Sequence, residues 1–380
     1  MVSRAERSVL ADWWWTIDRW VLAAAVALML MGLVLAMAGS PPVAERLGLS
    51  TFHFVHRQAL YLIPSAAVLI AASCLTPRQV RRTALVVFLV SMALILVALV
   101  FGQEVKGSRR WILGIQPSEF LKPAFVILAA WAFSEGGKRR DVPANLVALL
   151  LLPITIIPLI LQPDFGQTML ISLVWAALFF MAGLHWFWVV GIGGAGFSGV
   201  LLAYKFVPHV RARVLKFLDP GAGGGIVDTF QVDTAMGSFL SGGWFGKGPG
   251  EGIVKRILPD AHTDFIFAVT GEEFGIVACL VIVSIFAFVV LRGLLLASRN
   301  EDPFCRFAAA GLVMLFGVQS AINMAVNLNL MPAKGMTLPF ISYGGSSLIS
   351  LALAMGFLIA VLRKRPGAAL LAGSSAGAYT

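Results

Sequence analysis

The chain has 380 residues, 59% hydrophobic and 13% charged, with a formal net charge of +10 and a mean hydropathy of +0.88. Soluble domains carry about 45–50% apolar and about 25% charged residues, so a water-soluble enzyme is excluded. The apolar runs are continuous rather than alternating with polar residues, which excludes a membrane barrel and leaves an all-α, polytopic integral membrane protein.

Ten apolar runs read as spans, in chain order near residues 21–38, 59–75, 85–101, 120–132, 146–161, 168–184, 188–206, 265–291, 307–330 and 348–362. At ~20 residues each, ten transmembrane helices take about 200 residues and leave roughly 180 for loops and tails. Ala36-Met37-Ala38 resembles a signal-peptide cleavage site. The apolar stretch before it is longer than the roughly 7–15 residues of a signal peptide, so it stays as an uncleaved span.

Basic residues set the orientation. Arg4, Arg7 and Arg19, then Arg78, Arg81 and Arg82, then Lys138, Arg139 and Arg140 fall on one side of the spans. Arg292, Arg299 and Arg306, then Arg363, Lys364 and Arg365 continue the series. Both termini are therefore expected in the cytoplasm. The organisation that follows is a cytoplasmic N-terminal segment over 1–20, a ten-helix membrane domain over 21–365 and a disordered cytoplasmic tail over 366–380. Residues 207–263 form one long extracytoplasmic loop between spans seven and eight. The net charge is ascribed to this bias and to anionic lipid, not to nucleic acid.

Within the long loop, Val210–Leu218 has apolar residues at helical spacing with Arg and Lys between them. It reads as a helix lying on the outer leaflet or as a lid packed on the bundle. Gly221–Gly252 follows, with 11 glycines in 32 residues, a segment able to move or to approach a ligand closely. Its Gly246–Gly252 stretch lacks the ending of a phosphate loop, so nucleotide binding is not expected. Cys74 and Cys279 fall in spans and Cys305 on the cytoplasmic side, which gives neither a disulfide framework nor a metal site.

Ionisable groups in or beside spans are expensive and mark function by default. Glu119 and Lys122 share a helix face at i,i+3, either as a self-neutralising anchor or as a lysine that binds an anion while the glutamate orients it. Asp164, in Gln162–Gly166, reads as a helix cap or as part of a cleft. Lys334, a candidate substrate-binding cation, lies in Pro332–Phe340, followed by the small residues of Ile341–Ser347, which allow close packing. Asp264 opens span eight beside Phe265 and Phe267. Desolvation there would raise its pKa and improve it as a base, while the plainer reading is another cap. Glu272 lies near the Asp264 face and Glu273 roughly opposite. Together these residues describe an outward-facing cleft with a carboxylate base and several cations. That equipment suits transfer from an activated phosphate or diphosphate on a lipid.

Several segments carry a resemblance. Leu258–Val269 followed by Gly271-Glu272-Glu273, Lys106–Trp111, Gln116–Lys122, Gln162–Gly166 and above all Pro332–Ser347 (PAKGMTLPFISYGGSS) closely resemble the motifs of the SEDS family (shape, elongation, division, sporulation). The resemblance spans about residues 15–365, with the motifs in the same order. It implies a peptidoglycan glycosyltransferase that polymerises lipid II on the outer, periplasmic face of the cytoplasmic (inner) membrane. The implied partners are a class B penicillin-binding protein that cross-links the strands and other membrane proteins of the division machinery. Gly271, where elongation members tend to carry alanine, points to the division branch. Asp260, Ala333 and Phe230 depart from residues usual in the family. The resemblance implies Asp264 as catalytic base, with Glu119, Lys122 and Asp164 lining the cleft. The implied reaction is inverting transfer to the acceptor GlcNAc 4-hydroxyl. The diphosphate charge would be met by Lys122, Arg109 or a divalent ion, and no other cofactor is implied.

A lipid flippase is the alternative from another class. Transporters place their sites near the midplane at broken helices, whereas the charges here mass at the outer boundary. A recruiting scaffold is a third reading, against which the charged cleft argues.

Overall fold

The computed structural model describes residues 9–105, 108–136, 144–183, 186–206, 211, 226–332 and 335–364. Each of the ten expected runs falls on a helix. A short helix α1 (Val9–Thr16) leads into α2 (Arg19–Arg46), α3 (His53–Ser73) and α4 (Pro77–Phe101). A small antiparallel hairpin, β1 (Gln103–Val105) and β2 (Ser108–Trp111), precedes α5 (Pro117–Gly136). Then come α6 (Ala144–Leu161), α7 (Phe165–Met181), α8 (Trp186–Phe206) and α9 (Ile226–Gly242). A 3-10 turn at Val254–Arg256 leads to α10 (Ile266–Ser298), α11 (Pro303–Asn327) and α12 (Gly345–Leu362). Among the described residues seven of these helices are long and apolar enough to cross a membrane.

The core sits where α5, α11 and α12 meet. The apolar windows of α11 and α12 are 67% and 78% buried inside the protein, against 22–28% for α3, α4, α6 and α10. Three of these poorly covered helices, α4, α6 and α10, are more apolar than the covered ones, so their outward faces are solvated by lipid rather than water.

Two local departures from the sequence reading place the site. Helix α2 does not stop at Gly39-Ser40-Pro41-Pro42 but runs on to Arg46. Its end is tied across the fold, with Arg46 Nη2 donating to Leu258 O at 2.9 Å. Gly39 packs against the backbone of Ala261 and His262. The second departure is α10, which is not one continuous helix. Gly275 sits at φ 77°, ψ 179°, a conformation reserved for glycine.

The loop after α9 fills that break. Ile276 N donates to Gly243 O (3.0 Å) and Val277 N to Trp244 O (3.2 Å), while Lys247 N and Gly248 N donate to Glu272 O and Glu273 O (2.9 and 3.0 Å). Irregular backbone at membrane depth persists only where protein satisfies it. The glycine-rich stretch is thus corrected in role. Part of it is helix α9, and Gly242 and Gly246 are small because they touch the α10 backbone. Residues 212–225, and nearly all of the proposed 210–218 amphipathic helix, lie outside the described residues. Cys74, expected within a span, is the exposed C-cap of α3, while Cys305 is buried.

Candidate active site

Asp264 lies in a tight turn immediately before α10 and is partly exposed. It does not cap that helix. The cap position belongs to Phe265, which makes no side-chain cap bond. Asp260, at φ 52°, reverses the chain, and its carbonyl takes the N–H groups of Thr263 and Phe265 (3.0 and 3.4 Å). Asp is among the few residues that tolerate this left-handed conformation.

Three successive carbonyls of the Asp264 segment are held from outside. His262 O accepts from Tyr343 N at 3.0 Å. Thr263 O accepts from Ser342 Oγ at 2.6 Å. Asp264 O accepts from Asn323 Nδ2 at 3.0 Å and Asn327 Nδ2 at 2.9 Å. The main chain is thus fixed by α11 and the Ser342-Tyr343 turn, and the Asp264 carboxylate is left facing Gly335: a β-carbon built there would stand 3.8 Å from Oδ2. Asn323 also donates to Met336 O at 2.6 Å, and Ser342 Oγ accepts from Leu338 N at 2.8 Å. One set of side chains therefore sets both Asp264 and the loop opposite it.

Aromatic rings wall this turn. Phe54 packs on His262 (4.4 Å between centroids) and on Tyr343 (5.1 Å). The Tyr343 phenol is pushed above its ordinary pKa by burial, against the opposing pull of Arg57. Close approach of the backbones needs Gly32, where a side chain would collide with Phe340 O. Phe340 itself is held at φ 63°, a strained position for an aromatic residue that packing must enforce.

One turn along α11 from Asn323, Gln319 connects Asp264's surroundings to a second cluster. Gln319 Oε1 accepts from Lys122 Nζ at 2.9 Å, and its Nε2 donates to Thr337 O at 3.0 Å. Lys122 pairs with Glu119 at 2.9 Å, and Gln167 Nε2 donates to Glu119 Oε1 at 2.7 Å. Residues four apart on a helix face are about 5–6 Å apart, so Lys122 and the Asp264 backbone meet adjacent turns of one stripe. Lys122 and Glu119 are 2% and 5% exposed, so the lysine charge is already spent on protein partners. Asp164 caps α7, accepting from Gln167 N (3.4 Å), and is buried beside Arg110 Nη1 (3.7 Å).

Glu272 and Glu273 anchor the preceding loop. Glu272 accepts the N–H groups of Ile253 and Val254 (both 2.7 Å) and of Lys255 (2.9 Å). Glu273 pairs with the buried Lys255, which also donates to Ala38 O at 3.2 Å. Hydrogen bonds to a charged acceptor are worth about 1.5–3 kcal/mol each, which makes this a firm clamp on the approach to Asp264.

The family model for cell cycle proteins of the FtsW, RodA and SpoVE type matches residues 18–366. The chain belongs to this family. It is 45% identical over 371 residues to the probable peptidoglycan glycosyltransferase FtsW of Caulobacter vibrioides, covering 96% of this chain and 94% of that protein. It is 35% identical to the protein of the same description from Geobacter sulfurreducens, covering 92% and 96%. Among solved structures it resembles a chain from a study of the structural coordination of polymerization and crosslinking by a peptidoglycan synthase complex. The TM-score there is 0.74 at 25% identity, over 91% of this chain and 97% of that one. The rod shape determining protein RodA of Thermus thermophilus aligns with a TM-score of 0.65 at 25% identity, over 92% and 97%.

In this family member Glu119, Lys122 and Asp164 come together through Gln167. Asp264 joins them through α11. Arg109 does not. It sits on the hairpin, half exposed, paired with Glu104 at 3.8 Å. Neighbouring strand residues point to opposite faces, and it is Arg110 that turns inward onto Asp164 and the carbonyls of Gln162 and Pro163. Lys334 lies outside the described residues. Sequence reasoning missed Gln319, Asn323 and Asn327. Their signal was available as amides at i, i+4 and i+8 in an otherwise apolar span. Among the described residues no group of three or more His, Cys, Asp and Glu side chains is placed to hold a metal ion.

Proposed function

We propose that this chain, a peptidoglycan glycosyltransferase of the division type, polymerises lipid II with Asp264 as its general base. The observation that carries the reading is the main-chain clamp on residues 262–264, which fixes the backbone and leaves the carboxylate facing the Gly335 loop. A base must be held in a productive geometry before its basicity counts. Asp264 takes the proton of the acceptor GlcNAc 4-hydroxyl, the oxygen attacks the donor's anomeric carbon with inversion, and undecaprenyl diphosphate leaves. Its charge is met by Lys122 if Glu119 releases it, by Lys334, or by a divalent ion. The site opens on the periplasmic side of the inner membrane, with both termini and the three-residue basic clusters in the cytoplasm. At the septum a class B penicillin-binding protein cross-links the new strands.

The break in α10 offers a transporter-like feature, but its free backbone groups bond to residues 243–248 of the chain itself. That favours a positioning role over a substrate path. The test is to incubate the purified protein, alone and with its penicillin-binding partner, with labelled lipid II. Glycan polymer is expected. Lipid translocation without polymer from folded protein would overturn the reading. Orientation is tested separately by placing a cysteine at exposed Lys247 in intact spheroplasts. A membrane-impermeant thiol reagent should label it and leave Cys74 untouched, and the reverse pattern would invert the topology.

A further inference from the structure

At the end of the bundle away from Asp264, the helix termini build a second polar site. From Asp264 to Arg292 along α10 is 28 residues, roughly 40 Å at helical rise, ignoring the break. There a cavity of about 290 Å³ is lined by Trp15, Asp18, Arg19, Trp20, Arg292 and Lys364, over an apolar floor from α10 and α12. That volume lies at the small end of ligand pockets, which run from roughly 300 Å³ upwards.

The cavity is built rather than incidental. Helix α1 is pinned by Trp13 Nε1 donating to Ser73 Oγ at 2.8 Å. Its end is clamped to the exit of α12, where Lys364 N donates to Thr16 O (3.1 Å) and Arg363 Nε to Thr16 Oγ1 (2.8 Å). Asp18 caps α2 and receives two hydrogen bonds from Arg292, at 2.8 and 2.7 Å. Among the described lining residues, that pair consumes the only carboxylate and leaves Arg19 and Lys364 as positive charge. The Arg19 guanidinium lies 5.1 and 4.5 Å from the Trp14 and Trp15 ring centroids. Trp15 and Trp20 are 40% and 65% exposed. Tryptophan beside arginine at a span end is the composition of the headgroup layer of a bilayer.

We infer that this cavity binds the phosphate of an anionic phospholipid headgroup, with Arg19 and Lys364 as its charged contacts and the tryptophans seating the glycerol region. Each basic residue near an anionic lipid surface is worth about a fivefold preference. Removing both should cost about 25-fold.

The test places the full-length protein in nanodiscs of equal phosphatidylcholine and phosphatidylglycerol and reads the retained lipids by native mass spectrometry. Wild type should retain phosphatidylglycerol in excess. Arg19→Gln with Lys364→Gln should lose that excess by about 25-fold at an unchanged unfolding temperature. Arg78→Gln with Arg82→Gln removes two exposed charges near the same end, outside the cavity, and should stay within twofold of wild type. A wild-type lipid ratio in the Arg19/Lys364 variant overturns the site. An equal loss in the Arg78/Arg82 variant does so too, by showing a diffuse field. Millimolar inorganic phosphate should leave the lipid bound, and its displacement would reassign the cavity to a free anion.

Discussion

Replacing Asp264 by Asn separates the proposed chemistry from the architecture, because main-chain carbonyls hold the turn while the proposed base is the carboxylate. The turn is held through the carbonyl oxygens of His262, Thr263 and Asp264, and the cap of α10 is Phe265. None of these bonds uses the carboxylate, and asparagine is isosteric and keeps hydrogen-bonding capacity. The main-chain bonds that hold the turn therefore survive the substitution, and the protein should stay folded with a stability change of about 1 kcal/mol. General-base catalysis contributes about 10²–10⁴-fold, equivalent to about 2.7–5.4 kcal/mol in the barrier. Polymerisation of labelled lipid II, assayed at matched protein levels with the partner present, should fall by that factor while the unfolding temperature holds. Asp264→Glu moves the carboxylate by about 1 Å and should cost ~100-fold. Asn323→Ala removes one of the two donors to Asp264 O and the donor to Met336 O, so it should lose activity and about 1–3 kcal/mol of stability together. If Asp264→Asn polymerises within a few-fold of wild type, the base assignment is wrong and Asp164 becomes the next carboxylate to test.

Three further outcomes are expected. Lys122→Met strands the buried Glu119 and should destabilise by about 3–5 kcal/mol, whereas Glu119→Gln with Lys122→Met restores neutrality and should recover most of that loss. Polymer from the folded double variant would make the pair purely structural, and an inactive one would keep Lys122 on the diphosphate. Gly275→Ala forces a side chain into φ 77° against Trp244 O. It should lower stability by about 1–3 kcal/mol, measured by thermal unfolding in detergent, while Gly237→Ala, mid-helix with open space, should not. Burial alone would raise the Asp18 carboxyl, but its bonds to Arg292 and to Val21 N prevail and hold it below 3.8. Its stabilisation is thus present at pH values above the unfolded pKa and is lost as pH falls from there through the lowered folded value. Asp18→Asn should therefore destabilise at neutral pH, and the difference should close only below about pH 3.8. A gap that closes near pH 6 would contradict the pairing.

What the sequence determined by itself is what hydrophobicity and spacing carry. Continuous apolar runs fix a helical membrane protein, because only helices satisfy their backbone in lipid without partners. The carboxylates at span ends stood out because charge there is costly, and Asp264, Glu119, Lys122 and Asp164 were legible for that reason. Tertiary structure decided what each one touches. Asp164 caps a helix and Asp264 does not, although both stand just before one, because Tyr343, Ser342, Asn323 and Asn327 come from 59 to 79 residues away to hold the latter's turn. Arg110 rather than Arg109 turns inward because strand register, not composition, chooses the face. The break at Gly275 was invisible because the stretch is apolar on both sides of it, and the partners of its freed backbone lie in a loop that only folding brings there. Local pattern reports the cost of burying a group, and the fold supplies the partners that meet it.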